Sequence, residues 1–194
     1  MEEQKALYPL EPLDYTLEEE QSGYVILDSD ALIHFLALCP YGVEKYSYYF
    51  NHFPVLSLNL GIMETTEKVV ELILLIRSEN EINLKLLVNE VETLASLFGL
   101  SVTPSDEYYG WSYDPDSQLR KSYKEAYKKA YDKELKEVPT HGGLETGYMS
   151  RIFPDMDIVT MGPNCIDIHT PQERLEIKTL YEVHDFLKNW LGEL

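Results

Sequence analysis

Two short runs in the C-terminal part of this chain carry the residue types that could do chemistry. His141-Gly142-Gly143-Leu144-Glu145-Thr146-Gly147 sets a histidine and a carboxylate around bare backbone. Gly162-Pro163-Asn164-Cys165-Ile166-Asp167-Ile168-His169-Thr170-Pro171-Gln172-Glu173 sets a second histidine in an irregular loop after an expected strand. Neutral imidazole is a common zinc ligand, and loops at the C-terminal ends of strands are where α/β folds keep their sites. His169 is therefore one candidate for a metal ligand. The plainer alternative is a surface histidine in a turn, because ligands come in groups. The chain has no HExxH and no second histidine at ligand spacing. Gly142 and Gly143 permit close approach and free two backbone N–H groups. A helix beginning near Leu144 would aim its positive end at an anion such as a carboxylate. A Gly-Gly turn explains the same residues. Glu145 is either a first-turn residue complementing the helix dipole or a site carboxylate. Arg77 ends an apolar strand, where a guanidinium could clamp a carboxylate bidentately or simply face solvent.

The elements that must position these residues follow from periodicity. Residues 11–20 read as an extended segment ending in a charge run. Asp28 or Ser29 caps a helix bearing Ala31, Leu32, Phe35, Leu36 and Cys39, stopped by Pro40-Tyr41-Gly42. Residues 55–63 and 68–77 read as two strands of a hairpin. Leu84, Leu87, Val88, Val91, Leu94, Ala95 and Phe98 form one helical stripe, with Gly99 as its C-terminal cap. Residues 100–109 read as another strand. Strand, helix, strand, strand, helix, strand is the ferredoxin-like split βαβ order. Ser57 and Asn59 read only as polar strand positions.

Near Gly110 the texture changes. Asp114-Pro115-Asp116-Ser117 starts a helix carrying Leu119, Tyr123, Ala126, Tyr127, Ala130 and Tyr131. Residues 157–161 read as a short strand, and Thr179 opens a last helix with Leu180, Val183, Leu187, Trp190 and Leu191 on one face. The expectation is α+β for residues 1–110 and α/β layers for residues 111–194. The second part offers only about two strands, so it reads as a piece of a larger sheet, with an edge or apolar face that favours self-association.

Charge and cysteine usage narrow the class. Acidic residues outnumber basic ones 34 to 16, for a net charge of −18. That field repels phosphate backbones and anionic membranes, so no nucleic-acid partner is expected. Arg120, Lys121, Lys124, Lys128, Lys129, Lys133 and Lys136 interleave with Glu125, Asp132 and Glu134, as a solvated helix face does. Two cysteines, Cys39 and Cys165, are too few for a disulfide framework or a thiolate zinc site. The N-terminus lacks an apolar signal core and no apolar run is long enough to span a bilayer, so a soluble, cytoplasmic protein without a membrane partner is expected.

Taken in order along the chain, these segments resemble the aminoacyl-histidine dipeptidases (Xaa-His dipeptidases), relatives of the carnosine-splitting dinuclear zinc peptidases. Leu38-Cys39-Pro40-Tyr41-Gly42-Val43 is similar to that family's L-x-P-N-G-V, with tyrosine for asparagine. Ser57-Leu58-Asn59-Leu60-Gly61 matches its S-L-N-L-G strand, and Leu75-Ile76-Arg77-Ser78 its strand ending in Arg-Ser. The His141-to-Gly147 run is similar to H-A-G-L-E-C-G, with Thr146 for cysteine. The run from Gly162 to Glu173 is similar to G-P-x-x-x-x-x-H-[ST]-P-x-E.

The resemblance implies a ferredoxin-like lid over residues 1–110 and the closing segment of a zinc-peptidase catalytic domain over residues 111–194. It implies that His169 is the C-terminal metal ligand and that Gly142 and Gly143 line the substrate pocket. It implies that Arg77 reaches from the lid to a dipeptide's terminal carboxylate, with His141 and Glu145 substrate-proximal. The implied chemistry is zinc-assisted hydrolysis, in which a metal-bound water attacks the peptide carbonyl and a glutamate takes its proton. The family's other ligands and that glutamate belong to an N-terminal half, so no catalytic residue is assigned in this chain. The expectation is a C-terminal portion of a zinc-dependent dipeptidase, inactive without that half and either homodimeric or paired with it. The alternative is a non-enzymatic dimerisation or binding module. An intact small hydrolase using Glu145 and His169 with one metal is the weakest reading, because three protein ligands are usual.

Overall fold

In a computed structural model, residues 25–105 and 108–193 are described, together with Thr16 and Glu18. The extended segment expected over 11–20 lies almost wholly outside the described residues. The first helix, α1 (Ser29–Leu38), buries Leu32 and Phe35. Asp28 stands at its N-cap without a side-chain cap bond, and Cys39 leaves it with extended geometry, as a residue preceding proline does.

Three antiparallel strands follow in the order β1 (Gly42–Tyr46), β2 (Pro54–Thr65), β3 (Val70–Ser78). The expected hairpin is β2–β3. The strand β1 was not expected from the sequence. Gly42, at φ 91°, turns the chain out of Pro40-Tyr41 and sets its own Cα opposite Leu58. Burial alternates along β3: Leu72, Leu74 and Ile76 turn inward, whereas Ile73, Leu75 and Arg77 face out. Between Leu60 and Ile62 the β2–β3 register slips, leaving Gly61 as the extra residue of a bulge.

The inner face of the sheet packs against α2 (Glu81–Leu97). Asn80 caps this helix by accepting the Asn83 N–H at 2.9 Å. Gly99, at φ 71°, ends it in the left-handed region, and the Leu100 N–H bonds back to the Ala95 carbonyl. Phe35, Leu56, Leu58, Leu87, Val91 and Ala95 form the core between the helices and the sheet.

The expected strand over 100–109 is corrected: none of its described residues pairs with the sheet. Its end instead crosses to other backbone. A Cβ on Gly110 would lie 2.2 Å from the Ser78 carbonyl, and the Tyr109 carbonyl presses on Gly147. The strand expected over 157–161 is also absent. Its first residue, Asp157, is drawn off to hold the start of the next helix, α3 (Gln118–Tyr131).

That helix starts where expected. Ser117, only 2% exposed, accepts the Arg120 N–H at 3.0 Å. Tyr123, Tyr127 and Tyr131 stack against the last helix, while basic residues line the other side. Lys128 pairs with Glu134 at 2.5 Å, Lys129 with Glu193 at 2.8 Å, and Lys124 with Glu137. A short helix α4 (Glu145–Ile152) and a minimal hairpin of β4 (Cys165–Ile166) and β5 (Arg174–Leu175) precede α5 (Ile177–Leu191). The last helix begins two residues before Thr179, whose hydroxyl donates to the Glu176 carbonyl and accepts the Asn164 N–H. Its buried residues are Phe186 and Trp190, and Leu180 and Leu191 are exposed. The rings of Tyr123, Tyr127 and Tyr131 surround Phe186, and Trp190 Nε1 donates to Ser122 Oγ at 2.9 Å. The α+β class expected from the sequence is the class observed.

Candidate active site

On the outer face of the sheet, Ser57 of β2 stands directly opposite Arg77 of β3. Directly opposed residues of an antiparallel pair share a face, so both side chains point away from α2. They converge on one residue of the 141–147 run. Ser57 Oγ lies 2.7 Å from His141 Nε2, and Arg77 Nη1 donates to the His141 carbonyl at 2.9 Å. Phe53 packs edge-on to the imidazole, with centroids 6.2 Å apart. Burial, and then the Arg77 guanidinium, push His141 below the ordinary histidine value. A neutral ring keeps one donor and one acceptor nitrogen, which suits a hydroxyl partner.

The glycines behind His141 are positioned by tyrosines. A Cβ on Gly143 would lie 2.3 Å from the Tyr108 ring, so only glycine fits beneath that ring in place. A Cβ on Gly147 would lie 1.9 Å from the Tyr109 carbonyl oxygen. Gly142 is freer: its nearest neighbour is Thr140 Oγ1 at 3.3 Å. The Tyr148 ring sits edge-on to both Tyr108 and Tyr109, and the Arg151 guanidinium lies 4.1 Å over the Tyr109 ring. Arg151 also pairs with Glu81 at 3.1 Å, which ties α4 to the start of α2. The helix expected near Leu144 is α4, with Leu144 as N-cap and Glu145 exposed in its first turn. Beside Glu145, the buried Thr146 Oγ1 has no hydrogen-bond partner.

His169 sits apart from this cluster in its recorded contacts. It lies in the loop joining β4 to β5, exposed, with a left-handed φ of 66°. Its N–H bonds Glu173 Oε2 at 3.3 Å, and Arg174 holds Asp167 at 2.7 Å within the same loop. The strand preceding the loop is β4, later in the chain than the one expected over 157–161.

Among the described residues no group of three or more His, Cys, Asp or Glu side chains could hold a metal ion. Asp167 and Glu173 are the carboxylates nearest His169 in its loop, and both have partners there. The described residues therefore do not fit a complete zinc centre.

Ser57 is the site residue that sequence reasoning passed over. Eighty-four positions separate it from His141, so local spacing carried no sign of the contact. The usable signal was its cross-strand register with Arg77, and that is fixed only once the hairpin pairing is known.

An antiparallel sheet backed by helices, with a polar cluster joining its outer face to a Gly-Gly turn, makes this an α+β chain. The chain belongs to Peptidase family M20/M25/M40, whose model matches residues 15–193. It is 27% identical over 179 residues to the cytosol non-specific dipeptidase of Escherichia coli (strain K12), covering 92% of this chain and 37% of that protein. It superposes with a TM-score of 0.87 and 28% identity on the crystal structure of aminoacylhistidine dipeptidase from Vibrio alginolyticus, covering 100% of this chain and 40% of that one. The chain thus spans about two fifths of the relatives it matches. The resemblance to dipeptidases read from the sequence is the one these relatives show.

Proposed function

We propose that this chain is the C-terminal portion of a zinc-dependent dipeptidase acting on Xaa-His dipeptides. In this reading residues 1–110 are the lid and residues 111–194 the closing segment of the catalytic domain. Arg77 binds the terminal carboxylate of the dipeptide, with His141, Gly142, Gly143 and Glu145 around it. His169 supplies one metal ligand. The remaining ligands and the proton-accepting glutamate come from polypeptide corresponding to the rest of the relatives' length, whether continuous with this chain or separate. The 194 residues alone do not hydrolyse peptides, and the protein works in the cytoplasm.

One observation carries the reading. Three of the five segments that resemble dipeptidase motifs meet at one place, through Ser57, Arg77 and His141. A chance resemblance in three separate segments gives no reason for such a meeting.

The test is hydrolysis of a Xaa-His dipeptide with zinc present, by this chain alone and by this chain mixed with the N-terminal part of a dipeptidase relative. Turnover is expected only in the mixture, and His169→Ala should abolish it. Zinc-dependent turnover by the chain alone, lost in His169→Ala, would overturn the reading.

A second reading is a non-catalytic dimerisation module, favoured by the exposed Ile62, Ile73 and Leu75 on the sheet. Concentration-independent monomers in light scattering would exclude it.

A further inference from the structure

The outer face of the sheet holds His141 at two points, and the two grips have different chemistry. Ser57 takes the ring and Arg77 takes the main-chain carbonyl of the same residue. The two gripping residues are cross-strand partners, so the β2–β3 register sets their separation. On this face Val43 of β1 is the other cross-strand neighbour of Ser57 and carries no charge. Phe53 lies against the ring and Arg77 against the carbonyl, so Arg77 is a charged group in contact with this residue.

We propose that Ser57 is a positioning residue: by fixing the His141 ring it fixes the His141 carbonyl, which in turn orients the Arg77 guanidinium to receive a carboxylate. An exposed arginine has many rotamers, and holding one nitrogen on a rigid acceptor removes much of that freedom before a ligand arrives. A backbone carbonyl in a Gly-Gly turn is rigid only if something anchors its residue. The Ser57 hydroxyl supplies that anchor at His141 itself, and the Tyr108 ring packs on the turn two residues later, at Gly143. The serine touches no substrate in this account and acts wholly through His141 and Arg77. The inference rests on Arg77 being the carboxylate-binding group of the proposed dipeptidase.

Both parts are testable on the full 194-residue chain by NMR. The Arg77 side-chain N–H signals report its order, the His141 ring signals report the anchor, and N-acetyl-L-histidine serves as a carboxylate-ended probe. In the wild type, the Arg77 signals are expected to be resolved and to shift on titration with the probe. Ser57→Ala is expected to broaden the Arg77 signals, to broaden the His141 ring signals, and to weaken probe binding about 2- to 10-fold, the scale of one net hydrogen bond. Ser57→Thr keeps the hydroxyl and should restore all three readouts, a rescue that a purely structural role for the serine would not give. Arg77 signals and probe affinity unchanged in Ser57→Ala would overturn the proposal. A different failure, no shift of Arg77 by the probe in the wild type, would remove Arg77 as the carboxylate group. The ordering of Arg77 by Ser57 would still be read from the signals without probe.

Discussion

Asp157 clamps the N-terminus of α3 through Ser117, its partner 40 residues earlier. One carboxylate oxygen takes the Ser117 hydroxyl hydrogen at 2.6 Å, and the other takes the Leu119 N–H at 2.8 Å. The Ser117 oxygen in turn accepts the Arg120 N–H, so a buried hydroxyl both caps the helix and is held by a second side chain. Asp157 is thereby committed to the helix start, and residues 157–161 join no sheet.

Removing that carboxylate should cost about as much as losing a helix cap. Asp157→Ala is expected to lower stability by about 1 kcal/mol, read from urea unfolding. Burial pulls the Asp157 carboxyl upward, but the bonds from Ser117, Leu119 and Gln118 together with Arg120 hold it net below its usual value. Its contribution is therefore fully present above the ordinary aspartate range of about 4 and is lost as pH falls through its lower folded value. Asp157→Asn should flatten that acid limb of the stability curve. An unchanged limb would contradict the assignment.

His141 should give a second pH signature, at higher pH. Its folded value is pushed down by burial and by Arg77, so the unfolded chain binds the proton more readily. Its favourable contribution is complete above the ordinary histidine value of about 6.5 and fades as pH falls toward the folded value. Thermal unfolding between pH 7 and 5 should show a loss that disappears in His141→Gln.

Two of the three glycines of the 141–147 run should respond differently to alanine. Gly147→Ala places a methyl 1.9 Å from the Tyr109 carbonyl oxygen, where backbone must move. A net loss of about 1–3 kcal/mol is expected despite alanine's better helix propensity. Gly142→Ala meets only Thr140 Oγ1 at 3.3 Å and should stay within about 0.5 kcal/mol of the wild type. Melting temperatures of the two variants side by side decide the matter.

The central strand should be far less tolerant than its neighbour. Leu58, 1% exposed, sits in the core, and Leu58→Ala should cost about 2–5 kcal/mol. Leu75→Ala, at a half-exposed position one strand over, should cost under about 0.5 kcal/mol. Denaturant midpoints with unchanged slopes would confirm both.

Zinc gives a separate check. The described residues gather no group of three or more metal-binding side chains, so calorimetric titration of the 194-residue chain should show no tight one-to-one site. A tight site lost in His169→Ala would show that the chain gathers a ligand set unlike the one described.

The parts of the fold legible in the sequence were those governed by local rules. The stripe from Leu84 to Phe98, closed by Gly99, and the Ser117 helix start both depend on residues within a few positions. The hairpin is legible because residues 68–77 are rich in β-branched and apolar types and follow the turn Glu64-Thr65-Thr66-Glu67. The errors came where the same local texture meets a distant partner. Residues 157–161 have strand composition, but Asp157 is committed to α3. Residues 100–109 are similar in texture to a strand, but their end is packed on glycines, the Tyr108 ring on Gly143 and the Tyr109 carbonyl on Gly147. Phe186 was left off the α5 face because its tyrosine partners lie on another helix. At the site, His141 and Arg77 were singled out by type, and their meeting through Ser57 was not, because it depends on strand register.

The bulge at Gly61 divides the β2–β3 hairpin into two stretches with different tolerances. On the near side, Leu56 and Leu58 are locked into the core, so the Ser57–Arg77 alignment cannot slide without unburying them. On the far side, residues 62–65 are exposed, and the extra residue absorbs any mismatch before it travels inward. The distal hairpin therefore behaves as an insulated handle. It can be lengthened, shortened or decorated with a tag in steps of two residues while the grip on His141 keeps its alignment.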